Sequence, residues 1–173
     1  SLYPGRGFSS YGSAIQGRRA AKTAASFIKS SLRPRVKKEA VESLIKDMWG
    51  PRNVEKGYSP QWVTATLQNT MTPLHIIYIK DPRRLDGALA SIEFLRKHCV
   101  PKMIARDGHE LRMAHEAKNM LLNAEMKLRS GLFREESRGT HFREDFPARN
   151  DKDWHCWVTV QQNAEEMQMG KYK

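Results

Sequence analysis

The sequence predicts a mainly α protein. Its centre reads as an up-down-up three-helix bundle of the spectrin-repeat-like kind, with a loop–helix before it and a short C-terminal β segment after it. Three observations predict this. Residues 60–132 carry apolar side chains at steps of three and four, the period of one face of a helix. The connections between these runs are only a few residues long, which makes successive helices antiparallel neighbours. After Gly139 the helical period stops, and "HCWVTVQQ" (155–162) alternates and is rich in β-branched residues, as a strand is.

Taken in order, "PGRGFSSYGS" (4–13) is rich in Gly and Ser without an apolar period and reads as a loop. "AIQGRRAAKTAASFIKSSL" is helix-prone. Its Ala20, Ala21, Ala24 and Ala25 would let another backbone approach closely. Residues 34–49 place Val36, Ala40, Val41, Leu44, Ile45 and Met48 at helical spacing, with Pro34 in the first turn and Gly50-Pro51 as the stop. This helix is expected to pack on the end of the bundle. Ser59-Pro60 and Asp81-Pro82 each pair an N-cap with a proline at the first helical position.

The first bundle helix runs through Val63, Leu67, Thr70 or Met71, Leu74 and Ile77, with Pro73 set to kink or break it. The second runs through Leu85, Leu89, Ile92, Leu95, Cys99 and Met103, with Pro101 disturbing its last turn. The third opens at Asp107-Gly108 and repeats Leu111, Ala114, Ala117, Leu121, Ala124, Leu128 and Leu132, the strongest period in the chain. Leu67, Leu89, Ile92, Leu121 and Leu128 are expected in one core. The strand at 155–162 needs a partner from beyond Lys173 or elsewhere in the fold, since one strand makes no sheet. The tail "NAEEMQMGKYK" reads as a turn that stops just as another strand would begin. The resulting division is 1–33, 34–135 and 136–173.

Charge narrows the function. The chain is +11 overall, and residues 1–60 hold 12 Lys+Arg against 4 Asp+Glu. Such a field suits phosphates, nucleotides or acidic protein surfaces. No apolar run reaches the 18 or so residues of a membrane span. The first ten residues lack the basic-then-apolar pattern of an export signal. Cys99 and Cys156 are far apart and read as free thiols in a reducing compartment. The histidines form no HExxH, and neither a CxxC nor a GxSxG occurs, so no metal or nucleophile motif is present. A free-standing basic helical module that binds nucleic acid or a protein is the alternative on composition, although the dense "RPRVKK" run lacks interleaved aromatics.

Two stretches add a resemblance. Glu136, Ser137, Arg138, Gly139, His141, Asp145, Phe146, Pro147, Asp151 and Trp154 form a Glu-Ser-Arg-Gly-x-His run, then Asp-Phe-Pro, then Asp-x-x-Trp. At the other end, Ser9-Ser10 precede Gly17-Arg18-Arg19-Ala20. Together they resemble the C-terminal region of the succinate dehydrogenase/fumarate reductase flavoprotein family, with adenylylsulfate reductase α subunits as near relatives. The resemblance implies that 1–33 is the terminal loop–helix of an FAD-binding domain, 34–135 a helical domain, and 136–173 a strap and the start of a small β unit. It implies FAD in the parent protein, held loosely or not at all by this segment alone. The parent would be an oxidoreductase of electron transport, moving hydride between flavin and a small dicarboxylate or reducing adenylylsulfate. The segment alone would be inactive, with catalytic residues upstream of Ser1. Partners implied are the rest of the flavoprotein and an iron–sulfur electron-transfer subunit, in the cytoplasm or at the inner face of the membrane, and nucleic acid is disfavoured. Ser9, Ser10 and Tyr11 are the residues expected beside the flavin. His141 is expected in the strap, with Arg138 and Asp145 in internal ion pairs and Gly139 allowing the turn.

Overall fold

In a computed structural model, residues 8–31, 35–163 and 166–172 are described, with side-chain surroundings from Gly12 onward. The chain falls into two units, Ser1–Leu44 and Ile45–Lys173. In the first, α1 spans Phe8–Ser30. Residues 8–13, read from sequence as loop, are therefore helical. The alanine-rich stretch behind them propagates the helix, since extending a formed helix is easier than nucleating one and outweighs the cost of about 1 kcal/mol for Gly12. Phe27 and Ile28 stand exposed near its end.

Helix α2, Lys38–Trp49, begins later than the apolar spacing suggests, and Pro34 lies outside the described residues. No residue of α2 is buried. Leu44, Ile45 and Met48 are half or more exposed, Val36 is 78% exposed, and the Met48 carbonyl lies 2.9 Å from His115 Nε2 of the helix Gly108–Phe133.

The second unit is built on α3 (Pro60–Met71), α5 (Pro82–Phe94) and α6 (Gly108–Phe133). All three start as the sequence indicates. The Ser59 side chain accepts from the Trp62 N–H, Asp81 from the Arg83 and Arg84 N–H groups, and Asp107 from the Glu110 N–H. Each cap satisfies donors that a helix start leaves unpaired. Pro73 ends the first pattern, leaving α4 (Leu74–Ile77) as a separate turn. Pro101 similarly ends the second: α5 passes into a π-helical turn at Leu95–Cys99 and a 3-10 turn at Val100–Lys102. The core holds Val63, Leu67, Leu85, Ile92, Leu121 and Leu128, with Leu89 packed partly buried against it.

Two small sheets complete the unit. β1 (Ile79–Lys80) pairs in parallel with β2 (Phe142–Arg143), and β3 (Trp157–Asn163) pairs antiparallel with β4 (Glu166–Tyr172). The tail thus supplies the partner of the predicted strand, beginning at Glu166. Val158, Val160, Met167 and Met169 are half-buried while Trp157, Thr159, Glu166 and Gln168 are exposed, the period-two burial of a covered hairpin. Among the described residues no helix is long and apolar enough to cross a membrane.

Candidate functional site

Ser9, Ser10 and Tyr11 lie in the first turn of α1. Their side chains lie outside the described residues. They stand at the N-terminal end of the described part of α1. No acidic residue sits in that turn to compete for the positive end of the helix dipole.

The strap, residues 136–154, is built on a buried carboxylate. Glu136 is 0% exposed. It accepts from Arg134, from Arg138 Nε at 2.8 Å and Nη2 at 3.1 Å, and from the Asn150 N–H at 2.9 Å. Burial alone pushes its pKa up, but the hydrogen bonds from Arg138, Asn150 and Arg134 hold it below the usual carboxylate value. Arg138 continues to Asp151 at 2.6 Å, and the two carboxylates raise its already high pKa. Asp151 is held down to about 2, by Arg149 first and Arg138 second. The chain reverses just after Arg138: its N–H donates to the His141 carbonyl at 2.7 Å and the His141 N–H returns the bond at 3.0 Å. Gly139 sits in this turn at φ 58°, a left-handed conformation that glycine adopts without steric cost.

Arg143 is the other anchor, 3% exposed. Its Nη1 donates to the carbonyls of Gly131 and Leu132, both at 2.8 Å, and of Arg134 at 3.2 Å. These are orphan carbonyls at the end of α6, the negative end of its dipole. Nε and Nη2 reach Asp145 at 2.7 and 2.6 Å, a bidentate pair that lowers the Asp145 pKa. Ser137 fastens the next turn: its hydroxyl accepts from the Arg143 N–H at 2.9 Å and donates to the Phe146 carbonyl at 2.8 Å. Arg134 ties the strap to the hairpin through the Trp154 and Cys156 carbonyls at 3.1 and 2.8 Å. Trp154 is buried, edge-on to Phe133, and Lys171 of β4 lies over its ring at 3.3 Å.

Arg138 and Asp145 both form internal ion pairs, as expected, but with Glu136 and Asp151 in one case and Arg143 in the other. Reading the sequence missed Arg143 as an anchor. His141 is half-buried in the strap, with Nε2 at 3.3 Å from the Arg134 carbonyl. That bond makes Nε2 the protonated nitrogen and leaves Nδ1 as the acceptor. Burial first, then Lys80, Arg143 and Arg134, bring its pKa down to about 4. Cys99 and Cys156 are both free, the first buried and the second partly so. Burial raises the Cys99 pKa. These interactions make the strap a brace joining α6 to the hairpin, through Arg134, and to β1, through β2.

The likeness to known proteins extends over nearly the whole chain. Residues 64–173 match the family described as fumarate reductase flavoprotein C-term. The fumarate reductase (CoM/CoB) polypeptide of Methanothermobacter marburgensis is 31% identical over 91% of this chain and 28% of its own length. The succinate dehydrogenase flavoprotein subunit of Rickettsia bellii is 32% identical over 81% of this chain and 24% of its own. Among solved structures, adenylylsulfate reductase of Archaeoglobus fulgidus superposes with a TM-score of 0.81 at 31% identity, covering 90% of this chain and 28% of that one. Mycobacterium smegmatis Sdh1 in complex with UQ1 gives 0.76 at 27% identity, covering 90% and 27%. The chain therefore spans about a quarter of the length of these relatives.

Proposed function

The chain belongs to the fumarate reductase flavoprotein C-terminal family, and on that premise we propose that it is the C-terminal helical part of an FAD-dependent oxidoreductase. The observation that carries the proposal is the likeness to the Methanothermobacter fumarate reductase along 91% of the chain. The apolar faces of α1 and α2 that no described residue buries, Phe27 and Ile28 on one and Leu44, Ile45 and Met48 on the other, support it as surfaces for the rest of such a polypeptide. In this reading residues 1–33 close the FAD-binding domain, 34–135 form the helical domain, and 136–173 are the strap and small β unit. The parent acts on a small dicarboxylate such as fumarate or succinate, or on adenylylsulfate. It works in the cytoplasm or at the inner face of the membrane, and its electron partner is an iron–sulfur protein.

When bound, FAD would exchange hydride with the substrate and pass single electrons to or from the electron partner. This chain's share is to hold and polarise. The backbone N–H groups of Ser9, Ser10 and Tyr11 face the pyrimidine edge of the cofactor, where negative charge gathers on reduction. The helix start carries roughly half a positive charge and unpaired donors, already oriented before reaction. These donors favour the electron-rich form and raise the potential.

The test is redox titration of two variants of the full-length protein. Ser10→Ala keeps the backbone donor and leaves the potential unchanged. Ser10→Pro removes one N–H where a first-turn proline is tolerated. It lowers the potential by about 30 mV, which for a two-electron couple equals about 1.4 kcal/mol, the size of one hydrogen bond. An unchanged potential in a folded, flavin-loaded Ser10→Pro protein removes Ser10 from the site.

A further inference from the structure

Beside the strap lies an open hollow of about 400 Å³, between the end of α6, the α4–β1 corner and the Gly139–Thr140 turn. Lys80, Lys127, Arg134, Thr140 and His141 are among its lining residues, and none of the lining residues is a carboxylate. Charge accounting sets this place apart from the strap. Arg134 is neutralised by Glu136, Arg143 by Asp145, and Arg84 by Glu144. Lys80 has no carboxylate partner among the described residues, yet it is only 6% exposed. Its ammonium donates to the Ile77 carbonyl at 2.9 Å and the Tyr78 carbonyl at 3.3 Å. A lysine has three donors, so one remains. Burying an ammonium beside other cations and without a counter-charge is costly. Burial first, then Lys127 and Arg143, lower the Lys80 pKa accordingly. Lys127 is exposed, with no hydrogen bond or ion pair of its own among the described residues.

We propose that the hollow is a binding site for a doubly charged tetrahedral oxyanion of the phosphate type, held by Lys80 and Lys127. Two uncompensated ammonium groups match two negative charges. The hydroxyls of Ser130 and Thr140 line the same space and add donors that suit oxygen acceptors. A bound oxyanion offsets the unfavourable burial of Lys80 and lies close enough to His141 to favour its protonation.

The test uses the 173-residue chain with inorganic phosphate as probe, exchanged against chloride at fixed ionic strength. His141 is followed through its imidazole resonances, a reporter inside the hollow. Above neutral pH, where inorganic phosphate is mainly the dianion, it is expected to shift these resonances saturably. Lys127→Gln, a change at an exposed side chain that leaves the fold intact, is expected to weaken the response at least tenfold. Lys118→Gln, another exposed lysine of α6 that does not line the hollow, is expected to leave it unaltered. An equal response to chloride overturns the proposal. So does the absence of saturation in the tens of millimolar, or an undiminished response in Lys127→Gln.

Discussion

Glu136 and His141 sit on one short run of chain and answer acid differently. His141 has its pKa depressed in the folded state, from 6.5 to about 4. The unfolded chain therefore binds this proton more readily, and stability falls as pH drops from about 6.5 toward 4. Each unit of depression is about 1.4 kcal/mol. For a half-buried ring partly reached by water, this limb amounts to about 2 kcal/mol. Glu136 is also depressed, so its contribution is complete above the ordinary carboxylate value of 4.5 and is lost only as pH falls below it. Denaturant unfolding followed against pH is expected to show two successive losses, and His141→Gln to abolish the upper one alone. A profile unchanged between pH 6.5 and 4 in both proteins contradicts this assignment.

The identity of the anchors was only half legible at this scale. From the end of α6 through the strap, an arginine stands two residues before a carboxylate at Arg134–Glu136, Arg143–Asp145 and Arg149–Asp151. All three pairs form. The spacing was a usable signal for pairing, but it carries no depth. Arg143 is buried because β2 turns it toward the end of α6, and a two-residue strand has no period from which to read that.

Among elements, helix starts were the most legible feature. Ser59-Pro60, Asp81-Pro82 and Asp107 each cap as their residue types require, because capping is a local property of three or four residues. Proline breaks at 73 and 101 were legible for the same reason. The β1–β2 pair was not, since it joins segments some sixty residues apart and depends on the strap's return. β4 was hidden by its composition: Met167 and Met169 are weak strand formers, and only their alternation marks the buried face. Arg143 fastens the end of α6 to β2. It satisfies three carbonyls at the end of α6 and holds Asp145. Arg143→Met is expected to cost about 1–3 kcal/mol, as leaving buried helix-end carbonyls without their donor does. Arg143→Lys recovers little, because an ammonium lacks the planar fork that serves the helix end and the carboxylate together. Thermal or denaturant unfolding checks both. A cost under about 1 kcal/mol for Arg143→Met, the level of an exposed pair, removes Arg143 as the anchor.

For the whole molecule, the division of charge and of burial coincide. The first 60 residues hold 12 Lys+Arg against 4 Asp+Glu, and α2, which lies among them, buries no residue. The bundle unit, by contrast, closes its own core. On the proposed reading these are the properties of a piece whose cofactor wall is completed elsewhere in a longer polypeptide. Cofactor stoichiometry tests that reading most directly. The polypeptide translated with the coding sequence preceding Ser1 is purified beside the 173-residue chain, and flavin is measured in each by its absorbance after denaturation. The account predicts one FAD per chain in the longer protein and none in the shorter. A full equivalent of flavin on the 173-residue chain, or none on a folded longer protein, contradicts it.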